Sequence, residues 1–351
     1  MPLVDYLLEH NRIQSEAFLS PDAVLARKQY RAQHPTEIAA LKCMDGRLLL
    51  PHITQTPIGI IQPFRNIGGQ FDLGWPFFGK LVEELVGRTI DSGRDTLVLV
   101  TYHFSKSSEH HGCRGFNYDT ESAYRAAVEL KRQTERVFGA AHTAVYPVVI
   151  GIETDEDALI LHGADGKSVW ELASESPMVS EEQCLEKLCA MYPDMKGRIV
   201  QDFAPLILGN IQHISEMRQT EREPQDADHC EQVLGIGRGF DWLHKPNFAL
   251  LIGPYSYNLT DPIAKAGSIL LNNLREGRIP EKDGVVLIAS AAYSNSEGVE
   301  RHLAVEKAYS LAQLGLSTLR DQVPDLMPHL HVLVGTLNND KRFFHQLPFE
   351  E

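Results

Sequence analysis

One recurring pattern constrains the fold of this chain more than any other. Asp95–Ser105 and Gly284–Ser294 align without a gap, and each carries a near-continuous apolar run that ends in polar residues. Runs of that length bounded by turn signals read as strands buried on both faces, the kind found in parallel sheets. Upstream, Cys43–Arg47 falls opposite Gly239–Leu243; downstream, Val148–Asp155 falls opposite Val332–Asn339. Three blocks in the same order predict a duplicated α/β unit, roughly 38–165 and 235–348.

The segments between the blocks agree with that architecture. Ile58–Ile61, Leu97–Tyr102 and Val145–Ile152 read as strands, and Phe77–Val86 and Ser122–Val137 as helices. Strands alternating with helices argue for parallel sheets. Thr154–Asp157 reads as a turn, with Ala158–Leu161 returning as an edge strand. Residues 3–33 read as one or two helices, with Ser20 as a cap before Pro21 at a first helical position. The expected domains are an N-terminal helical arm over 1–37, a first α/β unit over 38–165, a helical linker over 166–234 and a second unit over 235–351. The linker includes the polar stretch 221–228.

A composition of 43% hydrophobic and 23% charged residues is that of a folded protein. The net charge of −14 disfavours a nucleic-acid surface, which needs clustered cations against phosphates. No run approaches the roughly 18 apolar residues needed to span a bilayer. The start shows no basic-then-apolar leader, and no long disordered basic extension is apparent. A reducing cytosol is therefore the expected compartment, where the five cysteines are metal ligands or core residues rather than bridges. Cys184 and Cys189, on an amphipathic helix over Glu181–Met191, read as core. Cys230 beside His229 reads as a linker residue.

Cys43 and Cys113 are different, because both stand where a strand gives way to a polar turn. The strand through Leu97–Val100 leads into His103, and a polar loop then reaches His110, His111 and Cys113. Two thiols and an imidazole suit zinc, bound tetrahedrally at about 2.3 Å to sulfur and 2.0–2.1 Å to nitrogen. Three protein ligands leave a position for water, whose pKa the metal lowers to roughly 7. Asp45 can orient that water or ligate the metal itself, and Arg47 is spaced to keep Asp45 ionised and aimed. In the second unit Cys43 becomes Gly239, Arg47 becomes Leu243 and His103 becomes Ala292, so no metal is expected there. Phe71, Trp75, Phe77 and Phe78 are candidates either for core or for a small apolar pocket.

On these residues the chain resembles the β-class carbonic anhydrases. The shared pattern is Cys43-Met44-Asp45-Gly46-Arg47, then Arg65-Asn66-Ile67-Gly68, then His103 at a strand end, then Cys113. The resemblance covers roughly 38–165. The common family spacing sets His three residues before Cys, a place held here by His110, whereas His103 lies ten before Cys113. His103 is the preferred ligand because it ends the buried strand; His110 is the alternative. The carboxysomal members of the family insert residues between these ligands and fuse an active unit to a degenerate copy.

The resemblance implies an α/β protein of tandem duplicated units forming an internal pseudo-dimer, with N-terminal helices and one Zn2+ per chain. Cys43, His103 and Cys113 would be the metal ligands, with Asp45 and Arg47 catalytic. The implied reaction is reversible hydration of CO2 to bicarbonate by a zinc-bound hydroxide. Glu109, His110 and His111, in the inserted loop before Cys113, are candidates to shuttle the released proton, since His titrates near neutrality. Hydrolysis of carbonyl sulfide or carbon disulfide on the same zinc, or a non-catalytic zinc-bearing assembly subunit, are the competing readings. CO2 and bicarbonate are the expected partners, with no nucleic acid and no membrane. Homo-oligomerisation and recruitment to a microcompartment such as the carboxysome stay open within a cytoplasmic setting.

Overall fold

The computed structural model describes residues 3–349 except 109–110, 140–143, 221–227, 244 and 295–297. Two compact units emerge: residues 25–43 with 48–227, and residues 1–24, 44–47 and 228–351. Among the described residues each unit is built on a mixed sheet, of six and of five strands. The protein is α/β, with two tandem units and N-terminal helices.

In the unit of residues 25–43 and 48–227 the strands are β1 (Glu37–Cys43), β2 (Ile61–Asn66), β3 (Thr96–Phe104), β4 (Val145–Glu153), β5 (Ala158–His162) and β6 (Val169–Glu171). Their order is β2-β1-β3-β4-β5-β6. The first four run parallel, and β5 and β6 return antiparallel. Every residue of β4 and all but the last of β3 are buried, which explains their unbroken apolar sequence. The helices α1 (Leu3–Leu19), α2 (Pro21–Gln33), α3 (Leu50–Ile53), α4 (Pro76–Asp91) and α5 (Thr120–Phe138) precede β4 in the chain. α5 follows the expected boundaries and begins at Asp119, whose carboxylate accepts from the Ser122 amide. The helices α6 (Glu181–Met191) and α7 (Gly197–Gln219) follow β6.

The other unit has strands β7 (Val233–Gly237), β8 (Ala249–Ile252), β9 (Val285–Tyr293), β10 (Leu330–Asn338) and β11 (Phe344–Leu347), with helices α8 (Thr260–Arg275) and α9 (Val299–Gln322). Its order, β8-β7-β9-β10-β11, repeats that of β2-β1-β3-β4-β5, again with four parallel strands and an antiparallel last one. β3 and β9 have the same length and correspond residue for residue in the gap-free alignment. Ile38 pairs with Leu97 while Val233 pairs with Val286, so relative to β3 and β9 the Cys43 block slips by one residue. Cys43 thus matches Arg238 by register rather than Gly239, and neither is a thiol. α1 packs on this unit: Leu3 and Leu7 join Trp242, Phe248 and Phe344 in one core cluster. The Phe344 amide donates to Asn11 Oδ1 at 2.9 Å.

Four expectations are corrected. Ile58–Ile61 is a turn leading into β2, which starts at Ile61. β2 is an edge strand, where Pro63 is tolerated because a missing N–H breaks no central ladder. β5 is not an edge, since β6 covers its far side. Cys184 is buried as expected, but Cys189 is exposed, and Phe77 is 67% exposed while Phe78 is fully buried. No described helix is long and apolar enough to cross a membrane.

Candidate functional site

Parallel strands deliver their carboxyl ends to one edge of a sheet, and loops after those ends are where α/β proteins place chemistry. Cys43 is the last residue of β1, and His103 is the penultimate residue of β3, paired to Ile152 of β4. Cys113 lies in the loop after β3, immediately before the 3-10 turn Arg114–Phe116. One ligand atom from each of the three lies within 4.8 Å of the others. Cys43, His103 and Cys113 are 6%, 1% and 3% exposed. Donors bound tetrahedrally at 2.0–2.3 Å are roughly 3.5 Å apart, so this convergence fits one small ion. Two sulfurs and one nitrogen are a zinc donor set, and three protein ligands leave a coordination position open.

The backbone around this cluster is tightly built. Gly68 and Gly69 adopt left-handed conformations, at φ 62° and 64°. A Cβ on Gly69 would stand 3.0 Å from the Thr101 carbonyl and 3.4 Å from the Cys43 amide nitrogen. The glycine step after Asn66 therefore lets this turn lie against the ends of β1 and β3. A cleft of about 280 Å³ opens beside it, lined in part by Gly68, Gly69, Phe71, Thr101, Phe116 and Leu130. Phe78 instead stacks on Phe71, at 4.7 Å between centroids, and meets Phe64 edge-on. Of the four aromatics considered for a pocket, Phe71 lines the cleft and Phe78 is core.

Beyond these three candidate donors, the segment after β3 is pinned through Asp155. Its carboxylate accepts from the amides of Lys106 and Ser107 and the hydroxyls of Ser105 and Ser107, each at 2.8 Å. Burial alone would raise this carboxyl; hydrogen bonds from Glu153, Ser105 and Ser107 bring it down to about 2. Glu153, at the end of β4, is pushed up to about 7 by burial first and by its hydrogen bond with Asp155 second. His111 lies half-buried in this loop, and the other two shuttle candidates, Glu109 and His110, fall outside the described residues.

Asp45 and Arg47 belong by their contacts to the second unit, together with Met44 and Gly46. The Leu251 amide at the end of β7's neighbour β8 donates to the Met44 carbonyl at 3.0 Å, and the Asn247 amide to the Gly46 carbonyl at 2.9 Å. Asp45 Oδ1 accepts from the Arg47 amide at 2.9 Å and from Nε at 3.1 Å, while Oδ2 accepts from Nη2 at 2.7 Å. The pair is bidentate and both residues are 4% exposed, so the guanidinium holds the carboxylate in one orientation.

Sequence reasoning missed two further residues here. Arg47 Nη2 also donates to His229 Nε2 at 3.3 Å. His229 Nδ1 in turn donates to Glu231, at 3.0 and 3.1 Å to the two oxygens. Asp45, His229 and Glu231 offer ligand atoms within 4.8 Å of one another. Arg47 supplies a cation to this group, which is joined into a hydrogen-bonded network. His229 and Glu231 follow a polar linker and precede β7, and no local signal in that stretch points to Asp45, 184 and 186 residues earlier.

Two thiols and an imidazole gathered where parallel strands end, in a chain that carries Cys43-Met44-Asp45-Gly46-Arg47, are similar to the pattern of the β-class carbonic anhydrases. Comparison with known proteins narrows this. Residues 32–191 match the family model described as the carboxysome shell carbonic anhydrase, catalytic domain. Proteins described as carboxysome shell carbonic anhydrases are similar over more of the chain. That of Prochlorococcus marinus (strain MIT 9313) is 25% identical over 333 residues, covering 86% of this chain and 63% of the relative. That of Hydrogenovibrio crunogenus is 25% identical over 275 residues, covering 67% and 52%. That of Halothiobacillus neapolitanus is 26% identical over 246 residues, covering 59% and 48%. The chain thus spans about half to just under two thirds of the length of these relatives, and it resembles them as a divergent carboxysomal-type carbonic anhydrase.

Proposed function

We propose that this chain catalyses the reversible hydration of CO2 to bicarbonate, with zinc held by Cys43, His103 and Cys113. The observation that carries the reading is the convergence of these three buried donors inside the matched region 32–191. Zinc, when bound, supplies a Lewis acid that brings the pKa of water close to neutrality. The chain's own residues do the rest. In the family pattern that Asp45 and Arg47 match, the Asp-x-Arg pair orients the attacking water, and here Arg47 holds the Asp45 carboxylate in one orientation. The second unit, which keeps the strand order and lacks counterparts of Cys43 and Cys113, is read as a degenerate duplicate, so one zinc per chain follows. The names of the relatives support association with the carboxysome shell.

Metal analysis and stopped-flow CO2 hydration on the wild type and Asp45→Ala test the reading together. About one equivalent of zinc, with hydration lost in Asp45→Ala but zinc retained, is expected. Less than about half an equivalent in carefully purified protein would remove the basis of the proposal. His103→Ala is expected to lose the metal and His110→Ala to keep it; the reverse would move the ligand to His110.

A further inference from the structure

The Asp45–Arg47 pair is clamped from behind by a carboxylate that makes no contact with either side chain in the hydrogen-bond network. Glu231 is fully buried, at 0% exposure. Its Oε1 accepts from the Gly46 amide at 3.2 Å, in the middle of the Asp45-Gly46-Arg47 turn. Both of its oxygens face His229 Nδ1. A carboxylate can only accept and a guanidinium can only donate, so the two contacts together require the His229 proton on Nδ1 and a lone pair on Nε2. That lone pair is what Arg47 Nη2 donates to, while the other Nη2 hydrogen goes to Asp45 Oδ2. At 4.0 Å, His229 Nε2 is too far from Asp45 Oδ2 to hydrogen-bond it, so His229 acts on Arg47.

Gly46 has a reason to lack a side chain in this arrangement. A Cβ there would stand 2.9 Å from the Ala249 carbonyl and 3.0 Å from Glu231 Cγ. The turn and the buried glutamate are therefore packed against each other with no room between them. A buried carboxylate is costly unless paired, and burial acts to raise the Glu231 carboxyl. Hydrogen bonds from the His229 ring and the Gly46 amide supply that pairing.

We propose that Glu231 is a positioning residue for the hydration reaction, fixing the His229 tautomer and the Gly46 amide so that Arg47 and Asp45 are held in one geometry. The proposal rests on the carbonic-anhydrase reading and assigns Glu231 a chemical task in that reaction. Glu231→Gln preserves size but cannot satisfy both neighbours. If its oxygen serves Gly46, its amide faces His229 Nδ1 and drives the proton to Nε2, against the Arg47 donor. If its oxygen serves His229, the Gly46 amide loses its acceptor.

The test uses the full chain with zinc bound. In the wild type, two-bond proton–nitrogen correlations should place the His229 proton on Nδ1. Glu231→Gln and His229→Gln should each keep the metal content and lower kcat for CO2 hydration about 10- to 100-fold, with KM changed much less. Because both act along one chain of contacts, the double variant should lose no more than the worse single one. Additive losses, a wild-type proton on Nε2, or full activity in Glu231→Gln would each overturn the proposal. If Glu231→Gln does not fold, the wild-type tautomer and the kcat of His229→Gln decide it. If the wild type does not hydrate CO2 at all, the proposed function falls, and the tautomer in the wild type and in Glu231→Gln still tells whether the clamp exists.

Discussion

Replacing Glu153 with Gln should change how stability depends on pH, with a sign and size that the structure dictates. Glu153 ends β4, is 2% exposed, and accepts from the amides of Asp155 and Glu156. Its carboxyl titrates at about 7 in the folded chain, against an ordinary value of 4.5. Below pH 4.5 both folded and unfolded states hold the proton, and the group imposes no penalty. As pH rises toward 7 the unfolded state ionises first, so stability falls, and above 7 the loss levels off. At 1.36 kcal/mol per pH unit, that loss is about 3 kcal/mol. Gln has no proton to lose and keeps an acceptor for the Asp155 amide. The stability of Glu153→Gln minus that of the wild type should therefore climb by about 3 kcal/mol between pH 4.5 and 7.5. Urea unfolding at a series of pH values gives the difference, with hydrogen exchange of the β3 and β4 amides reporting the unit concerned. A difference that stays flat within about 0.5 kcal/mol, or falls with pH, would show that Glu153 is an ordinary ionised carboxylate and refute the argument.

Three other perturbations have expected outcomes. Arg47→Ala leaves Asp45 buried and uncompensated, and should destabilise the unit containing 44–47 by about 3–5 kcal/mol in urea, with Arg47→Lys restoring less than half because one ammonium cannot reproduce the bidentate contact. Asn210, fully buried, donates to the carbonyls of Ile53 and Asp157 and accepts from the Leu159 amide; Asn210→Ala should cost about 3 kcal/mol or more, read from thermal or urea unfolding. Gly46→Ala should lower CO2-hydration activity while the zinc content stays at its wild-type value, since its Cβ meets Glu231 and the Ala249 carbonyl rather than any metal ligand.

Much of the architecture was legible before any coordinates, and the reason is local. The strands through Leu97–Val100 and Val148–Ile152 are buried on both faces, so their sequences are continuous apolar runs that no exposed segment would carry. Cys43 and Cys113 stood out because thiols at strand-to-turn junctions are poorly explained by core packing alone. β2 was misplaced because its alternating burial and Pro63 suit an edge strand, while the apolar Ile58–Ile61 stretch imitated a central one. Register was out by one residue at the Cys43 block, since neighbouring apolar residues in a buried strand are chemically interchangeable.

Composition and periodicity thus point to the α/β class and the twofold recurrence of its strand pattern, and the two thiols with His103 or His110 stand out as candidate donors, because each is written in residues close together or at strand ends. Tertiary structure alone decided that a glutamate and a histidine almost 190 residues after Asp45 lie behind it. It decided as well that Gly46 must lack a side chain to make room for them. Hydrogen bonds between distant segments depend on how the chain folds back on itself, and no periodicity along the backbone records that path. Cys43-Met44-Asp45-Gly46-Arg47 therefore reads as chemistry in the sequence, and the structure supplies the buried support that holds part of it in place.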